Sequence, residues 1–542
     1  MHYLPGARRV AGFLLIGLLA GCSGGSGTEE GTRTEISTNA IAFRADGPSA
    51  AVPAAQVFTA TFGKDIAHLA VVHSGDAIAS ATSVMNGRTA QITVVPSSPS
   101  TIGPGLFTGA IAVTGYTCAD TTCSKLSAGS TSTVAVSFQI SPAIQRVAPY
   151  VATSGVADTV IIRGLGFLNF NVTGVRFGDT AATAIAVNSA GTEIAATHPA
   201  LAAGSYTVHV DATNHQGDIP STVALLVQDP IAYSATTLSH PASTTALRAL
   251  VYDAERHALL TVTDTSPSNP VSRYEYGNGA WSVPISAAGA FLDVALNADG
   301  TQLYTLTGTT LVPTDPVTLA LGTAVTAPSL VTNSALKNVV VGNDNRAFVT
   351  TSYTTSGATG TYVYYPELSQ LVLSTSLNNA TPVMAANGNS GVVVQGDPTL
   401  TADVASYVYL TTTNSLSSTG TPTLRQNTVI PAVDRAASRT VLNGLNVYDA
   451  SFALLGTLPS TTAAVVLKPN GSRAYAYDTA AGGILTYDIS VDRDEAAYVA
   501  LGAVTPLAGN PGTGVRMAIT PDGGTLFIGG STQIVVQPTP AL

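Results

Sequence analysis

Apolar and polar residues between positions 250 and 534 follow one recurring order: an apolar stretch, a tight polar turn, a second apolar stretch and two weaker ones. The order recurs seven times, with turns centred on Glu255, Asp299, Asp344, Gly388, Arg435, Asn470 and Asp522. Successive centres lie 44, 45, 44, 47, 35 and 52 residues apart. Apolar stretches of strand length on both sides of such turns indicate hairpins. The pattern therefore predicts seven units of four antiparallel strands.

A repeat of this length is typical of a β-propeller blade and not of a helical solenoid. The last apolar strand, 533–536, belongs to a unit with only three strands, and 231–238 is an apolar strand that precedes the first unit. Pairing these two strands would complete the last unit and remove exposed sheet edges. We therefore predict a seven-bladed β-propeller over residues 229–542, closed by pairing of its N- and C-terminal strands.

Two β-sandwiches are predicted before the propeller, over residues 34–141 and 142–228, so the fold class is all-β. In the first, strands at 93–95, 109–113 and 133–140 are separated by breaks rich in Ser, Gly and Pro. Its stretch 107–113, with the strand that closes it, resembles bacterial surface Ig-like modules.

The second sandwich carries a more specific resemblance. Gly164 and Gly166 precede Phe167 at a predicted corner, and Tyr206 and Val208 lie on one face of a predicted strand. The series 142–149, 160–167, 175–178, 194–199, 204–210 and 222–227 resembles an IPT/TIG domain, an Ig-like fold. The resemblance implies a spacer or an interaction surface.

The sixth unit shows the propeller pattern strand by strand. We expect its four strands at 463–467, 473–478, 484–489 and 498–504. The segments 474–478 and 484–488, Ala-Tyr-Ala-Tyr-Asp and Ile-Leu-Thr-Tyr-Asp, resemble YVTN-type propeller repeats.

The N-terminus predicts export. Arg8 and Arg9 precede a short apolar stretch, 10–19, which is the order of a signal peptide. The tetrapeptide that follows, Leu-Ala-Gly-Cys at 19–22, resembles the bacterial lipobox. The resemblance implies removal of residues 1–21 and lipidation of Cys22, and Ser23 implies the outer membrane of a Gram-negative bacterium. Residues 22–33, rich in Gly and Ser, are expected to form a flexible tether.

Cys118 and Cys123 are the other two cysteines of the chain. Their spacing across a predicted turn allows disulfide geometry, and an exported protein matures where disulfides form. We predict a hairpin disulfide, because no second cysteine pair is present to complete a metal site.

Composition narrows the chemistry. The net charge of -10 argues against nucleic acid as a partner. All eight histidines lie at or before His257, so most of the predicted propeller has neither histidine nor cysteine for general-base, nucleophilic or metal-ligand roles. We assign no catalytic residue, no metal ligand and no cofactor.

Four tyrosines are candidate binding residues. Tyr362 and Tyr364 share one face of a predicted strand, and Tyr407 and Tyr409 share one face of another. They could form a stacking platform for a sugar or a peptide. The alternative is packing between neighbouring blades.

Together these patterns favour a lipid-anchored envelope protein that displays a non-catalytic binding module for a protein or a glycan. The alternative is a propeller-type hydrolase or lactonase that uses carboxylates and a bound calcium ion. The enzyme would present several carboxylates or amides at one depth of the central channel, whereas the binding module would present an apolar or aromatic surface. A purely structural stalk and cap is a third interpretation. The sequence does not predict the oligomeric state.

Overall fold

A computed structural model describes residues 34–116, 126–215, 219–265, 268–330, 334–351, 360–376, 381–384, 391–395, 405–410, 415–420, 430–436, 438–442 and 444–541. Within these ranges, side chains are described except at 126–130, 360, 374–376 and 381–420. Strands make up nearly all of the regular structure, which confirms the all-β prediction. The predicted signal peptide, Cys22, Cys118 and Cys123 lie outside the described residues.

The chain divides into two compact units, the first of which consists of residues 34–43, 52–98, 107–116 and 126–138 among those described. The elements of this N-terminal part are β1 (Glu35–Ile36), β2 (Ala40–Ala45), β3 (Gln56–Thr61), β4 (His68–Ser74), β5 (Ile78–Asn86), β6 (Thr89–Pro96), α1 (Pro99–Ile102), β7 (Gly105–Tyr116) and β8 (Leu126–Ile140). Two antiparallel sheets form, in the orders β1-β3-β6-β5 and β2-β8-β7-β4. Alternate residues point inwards, and the rings of Phe43 and Phe138 meet edge to face at 6.1 Å in the core.

Among the described residues, the second unit consists of Arg44–Ala51, Pro99–Leu106 and those within Gln139–Leu542, and it contains a sandwich from Ala143 to Gln228. Its elements are β9 (Ala143–Ala148), β10 (Val151–Thr153), β11 (Asp158–Leu165), a 3-10 turn (Phe167–Phe170), β12 (Val172–Phe177), β13 (Thr180–Ala181), β14 (Ala184–Val187), β15 (Glu193–His198), β16 (Gly204–Ala212) and β17 (Ala224–Gln228). The sheet orders are β10-β17-β16-β12-β13 and β14-β15-β11-β9.

The glycine corner of this sandwich forms as predicted. Gly166 has a φ of +83°, and a Cβ at Gly164 would lie 2.1 Å from the carbonyl oxygen of Ala143. A larger residue at either position would be strained or would clash, whereas glycine lets the chain turn and bury Phe167 completely.

The rest of the second unit contains, among the described residues, seven sheets of mostly four antiparallel strands, which we call sheets I to VII. Sheet VII takes its first member, β18 (Thr236–Ser239), from the start of the region. Sheet I contains β19 (Ala246–Asp253), β20 (Ala258–Asp264), β21 (Val271–Gly277), β22 (Ala280–Trp281) and β23 (Ile285–Ala287). Sheet II contains β24 (Asp293–Leu296), β25 (Leu303–Leu306), β26 (Thr310–Thr314) and β27 (Val325–Thr326). Sheet III contains β28 (Leu336–Val341), β29 (Ala347–Thr351), β30 (Gly360–Tyr365) and β31 (Gln370–Ser376).

The remaining sheets continue the same order. Sheet IV contains β32 (Thr381–Met384), β33 (Gly391–Gln395), β34 (Ala405–Leu410) and β35 (Ser415–Gly420). Sheet V contains β36 (Ala432–Val433), β37 (Arg439–Leu442), β38 (Asn446–Asp449) and β39 (Leu454–Thr457). Sheet VI contains β40 (Thr462–Leu467), β41 (Arg473–Asp478), β42 (Gly483–Asp488) and β43 (Thr505–Pro506). Sheet VII is completed by β44 (Arg516–Ile519), β45 (Thr525–Gly529) and β46 (Gln533–Pro538).

The first strands of sheets I to VI and β44 of sheet VII lie next to one another in chain order, and β44 also lies beside β19. Strand β18 pairs antiparallel with β46, with Thr236 opposite Val536 and Leu238 opposite Ile534. Sheet VII is therefore assembled from the two ends of the region.

Neighbouring sheets share apolar cores. Because side chains alternate along a strand, successive residues of one strand enter different cores. In β41, Ala474 and Ala476 pack towards sheet V, while Tyr475 and Tyr477 pack towards sheet VII. Successive side chains of a strand point to opposite faces, so one strand supplies both interfaces. Tight burial of these alternating residues holds each sheet between its neighbours.

The predicted fourth strand of the sixth unit, 498–504, is wrong. The strand in that place is Thr505–Pro506. The ring of Tyr498 is buried in the core between sheets V and VI, and its hydroxyl donates to the carbonyl oxygen of Val491 at 2.9 Å. After Tyr498 the segment forms an isolated bridge between Ala500 and Tyr487, and Ala500 packs against the same core.

Candidate functional site

The sandwich 143–228 is seated on the turns that follow the first strands of several sheets. Tyr150 donates a hydrogen bond to Glu255 in the turn of sheet I at 3.1 Å. Gln228 donates to the backbone carbonyl of the same Glu255 at 3.0 Å. The Tyr150 ring also lies over Gly300 in the turn of sheet II, where a Cβ would approach the hydroxyl oxygen to 1.8 Å. Glycine is therefore required at position 300 for this contact.

Charged groups fix the same junction. Arg163 donates at 2.7 Å to both Glu193, within the sandwich, and Asn343, in the turn of sheet III. The side chains of Arg163 and Glu193 are only 8% and 7% exposed. A buried guanidinium is tolerated because its charge is paired and its donors are satisfied. A second ion pair joins Arg435, in the turn of sheet V, to Asp158 of the sandwich.

A cavity of about 530 Å³ lies beyond this junction, between the first strands. The described lining comes from sheets I, II, III, V, VI and VII. Apolar side chains dominate the wall, including Leu250, Leu296, Val340, Val433, Val466 and Met517. A smaller cavity of about 280 Å³ adjoins it, sharing Leu296 and Leu467 in its lining and bounded by Pro149 and Tyr150 of the sandwich. The sandwich therefore covers the end of the cavity that lies at the turns.

The opposite end of the large cavity is polar. Four side chains, which we call the polar end, line it at the beginnings of the first strands: Arg248, Asp293, Asn338 and Arg516. They come from sheets I, II, III and VII. An apolar chamber with a few polar groups at one place is the usual form of a small-molecule site.

Asp293 is held by three donors. Its Oδ1 accepts from its neighbour Val294 at 2.9 Å, and its Oδ2 accepts from the backbone of Val339 at 2.9 Å and from Asn338 Nδ2 at 3.3 Å. Burial raises the pKa of Asp293 to about 6, although these hydrogen bonds and the charge of Arg516 act in the opposite direction. Desolvation outweighs them because the carboxyl is almost fully enclosed.

The two guanidinium groups differ in their partners. Arg248 forms an ion pair with Asp264 at 2.7 Å. Arg516 donates, among the described residues, to the carbonyl oxygens of Arg248 at 3.2 Å and Val515 at 3.4 Å. Burial lowers the pKa of Arg516, and the charge of Asp293 opposes that shift.

Two buried atoms of the polar end have no hydrogen-bond partner in the part of the chain that is described. They are Nε of Arg248 and Oδ1 of Asn338. The Asn338 amide group already donates to Asp293, which fixes the orientation of its oxygen. Both atoms are themselves buried, so leaving them without a partner is costly to the folded state.

The predicted tyrosine platform is not open to solvent where its side chains are described. Tyr362 and Tyr364 are 2% and 3% exposed, in the core between sheets II and III. Tyr362 donates to the carbonyl of Pro328 at 2.8 Å, and Tyr364 packs edge to face with Tyr304. Both rings pack between sheets, which is the alternative interpretation given above. The side chains of Tyr407 and Tyr409 lie outside the described residues.

The polar end was missed by the sequence analysis. Asp293 and Asn338 stand at strand beginnings, where polar residues are common, and Arg248 and Arg516 are isolated in sequence. Only the juxtaposition of four sheets brings them to one cavity. Within the described ranges, no group of three or more His, Cys, Asp or Glu side chains could hold a metal ion. No helix there has the length and apolar character needed to cross a bilayer.

Comparison with known proteins identifies one domain. Residues 142–225 match the IPT/TIG domain family, which confirms that prediction for the sandwich. No curated protein matches the chain.

Two solved structures show weak likeness to the chain. Hydrazine synthase from Kuenenia stuttgartiensis is 10% identical, with 55% of this chain and 98% of that chain covered and a TM-score of 0.43. A structural-genomics protein of unknown function from Bacteroides thetaiotaomicron is 13% identical, with 73% and 98% covered and a TM-score of 0.35. These TM-scores are too low to bear on fold or function.

Substitution of Gly300 by Ala should disrupt the seating of the IPT/TIG domain. The new Cβ would overlap Tyr150, and the φ of +69° adds backbone strain. Gly482→Ala is the matched control, since Gly482 has a φ of +63° and no atom within 4 Å of the added Cβ. We expect Gly300→Ala to cost roughly 1–3 kcal/mol more than Gly482→Ala in calorimetric unfolding. When Tyr150→Ala is combined with each glycine variant, the difference in unfolding free energy between Gly300→Ala and Gly482→Ala should disappear, because the ring that the new Cβ overlaps is gone. Equal unfolding profiles for the two glycine variants would contradict the contact.

The stability contributed by Asp293 should depend on pH. Its pKa is about 6 in the folded protein and 3.8 ordinarily, so folding retains a proton that the unfolded chain releases. Relative to Asp293→Asn, the parent should therefore lose about 2 kcal/mol of stability between pH 4.5 and pH 7.5. Denaturant unfolding at the two pH values measures this difference.

Asp315 provides the control of opposite sign. Hydrogen bonds from Thr318 lower the pKa of this exposed carboxyl. The parent should gain stability over Asp315→Asn as the pH rises through the acidic range. If the stability difference between the parent and the Asn variant changed with pH in the same direction at Asp293 and at Asp315, the raised pKa of Asp293 would be contradicted.

Proposed function

We propose that this protein is a cell-envelope lipoprotein that binds an apolar partner in a cavity at the centre of a seven-bladed β-propeller. The observation that carries the proposal is the apolar cavity of about 530 Å³ between the first strands, with polar groups at one end. The IPT/TIG domain covers the other end, at the turns.

The arrangement of the sheets supports the propeller interpretation. Their first strands follow one another in chain order, and the last lies beside the first. The pairing of β18 with β46 is the kind of contact by which propellers join their two ends. An open row of sheets would leave the outer faces of sheets I and VII uncovered, whereas here they share a core that includes Leu238 and Phe527.

Binding is favoured over catalysis by the lining of the cavity. Asp293 is its one carboxylate among the described residues, and three donors already occupy that group. A propeller hydrolase or lactonase of the kind considered above would draw on several carboxylates or amides at one depth. The described lining offers Asp293 and Asn338 at that depth, beside two guanidinium groups.

The wall also favours one kind of partner. A glycan would need many hydrogen-bonding groups, because each buried hydroxyl without a partner is unfavourable. Leu250, Val340 and Val466 offer none. An apolar small molecule or an apolar segment of a protein gains free energy from the same wall.

Attachment to the envelope rests on the N-terminal sequence. The lipobox-like tetrapeptide ending in Cys22 and the Gly- and Ser-rich residues that follow it support a lipid anchor with a flexible tether. With this anchor, the membrane is contacted through the lipid, and the outer membrane is the proposed location.

The neutral fluorophore N-phenyl-1-naphthylamine should bind with a stoichiometry of one and a blue-shifted emission. Val340→Trp would fill part of the cavity and should weaken binding about tenfold or more, which corresponds to roughly 1.4 kcal/mol. The matched control is Val283→Trp, because Val283 is 88% exposed. Fluorescence titration measures both. Equal affinity of the two variants for the fluorophore, or no saturable binding by the parent, would contradict the proposal that the cavity is the binding site.

Replacement of Cys22 should abolish lipidation. In a Gram-negative host, Cys22→Ala should not incorporate labelled palmitate and should leave the detergent phase in a phase-partition assay. Cys118→Ala should still be labelled and should stay in the detergent phase. Label on the Cys22→Ala protein, or no label on the parent protein, would contradict lipidation at Cys22.

A further inference from the structure

We infer that the cavity binds amphipathic carboxylates: molecules with an apolar body in the chamber and a single carboxylate head at the polar end. This inference rests on the proposed function, because it assigns the chemical class of the bound molecule. The juxtaposition of the apolar wall with Arg516 and Arg248 carries it.

The apolar body is required by the wall. From the polar end to the turns the described lining is almost entirely Ala, Val, Leu, Ile, Met and Pro. A volume of about 530 Å³ is in the ordinary range for a small-molecule site. Burial of an alkyl chain in it is favourable because each methylene leaves water for an apolar wall.

The charge of the head follows from the partners of the two guanidinium groups. Arg248 is paired with Asp264 at 2.7 Å, so its charge is already balanced. Arg516 donates to carbonyl oxygens only, among the described residues. Asp293 lies in the same cluster, accepts from Val294, Val339 and Asn338, and acts on Arg516 through its charge without a hydrogen bond to it. Among the described residues, Arg516 therefore has no hydrogen-bonded carboxylate.

A single carboxylate suits the Arg516 guanidinium better than a dianionic phosphate does. Guanidinium groups bind carboxylates through strong, charge-assisted hydrogen bonds. Asp293 is itself negative at pH 7.5, so it repels the single charge of a carboxylate less than the two charges of a phosphate.

The test compares two ligands of equal length, decanoate and decanol, as competitors of N-phenyl-1-naphthylamine at pH 7.5. The full-length protein should bind decanoate about tenfold or more tightly than decanol, since charge-assisted bonds are roughly twice as strong as neutral ones. Arg516→Met should remove this preference while decanol affinity stays within about twofold. Arg516→Lys should restore part of the preference.

A matched control and a second variant keep the result interpretable. Arg88→Met makes the same change in net charge at an exposed ion pair of the first unit that is not part of this lining, so it should keep the preference. Asn338→Asp adds a carboxylate beside Asp293, and its negative charge should repel decanoate, so that decanol binds more tightly than decanoate. This variant provides an independent test if Arg516→Met does not fold.

The outcomes separate the two proposals. If the probe itself does not bind saturably, the proposed function fails. If the probe binds but decanoate does not displace it, the function stands and the inference about the carboxylate head is overturned. If decanol displaces the probe as well as decanoate does in the parent, the function stands and the inference about the head is overturned. Persistence of the preference in both Arg516→Met and Asn338→Asp would also overturn it, because the carboxylate would then bind elsewhere.

Discussion

Among the described side chains, sheets I, II, VI and VII each have two apolar faces, and the burial of both faces is the constraint on which the rest of this structure depends. Each sheet covers its neighbour: sheets I and II, II and III, V and VI, VI and VII, and VII and I share cores among the described side chains. Because the last pair returns to the first sheet, sheets I, II, VI and VII are each covered on both faces. The strand Thr236–Ser239 contributes Leu238 to the final core, which ties the beginning of the region to its end.

The cavity is a consequence of the same constraint. Seven sheets that meet through their first strands leave space between those strands, and the apolar residues that pack the sheets also line it. The IPT/TIG domain makes the two ends of the cavity different, because Tyr150 and Arg163 hold this domain against the turns at one end. The polar end lies away from that junction, so the two ends of the cavity differ in chemistry. A site with one apolar end and one charged end favours molecules that have an apolar body and a charged head.

The period of the hydrophobic pattern was sufficient to predict the strands and the all-β class, because alternation and turn chemistry are local properties. It also placed Tyr362 and Tyr364 on one strand face, but alternation does not say whether that face meets water or the next sheet, and here it meets sheet II. The polar end could not be predicted, since Arg248, Asp293, Asn338 and Arg516 are separated by 45 residues or more and become neighbours only through the arrangement of four sheets. The misplaced strand at 498–504 has a similar cause, because a buried Tyr498 outweighs the local strand propensity.

The most direct measurement of the central claim is a crystal structure of the full-length protein grown with decanoate. We expect seven sheets around one cavity, with the alkyl chain along Leu250, Val340 and Val466 and the carboxylate within hydrogen-bond distance of the Arg516 guanidinium. Decanoate bound only on the outer surface, or a cavity filled by side chains of the protein itself, would contradict the account.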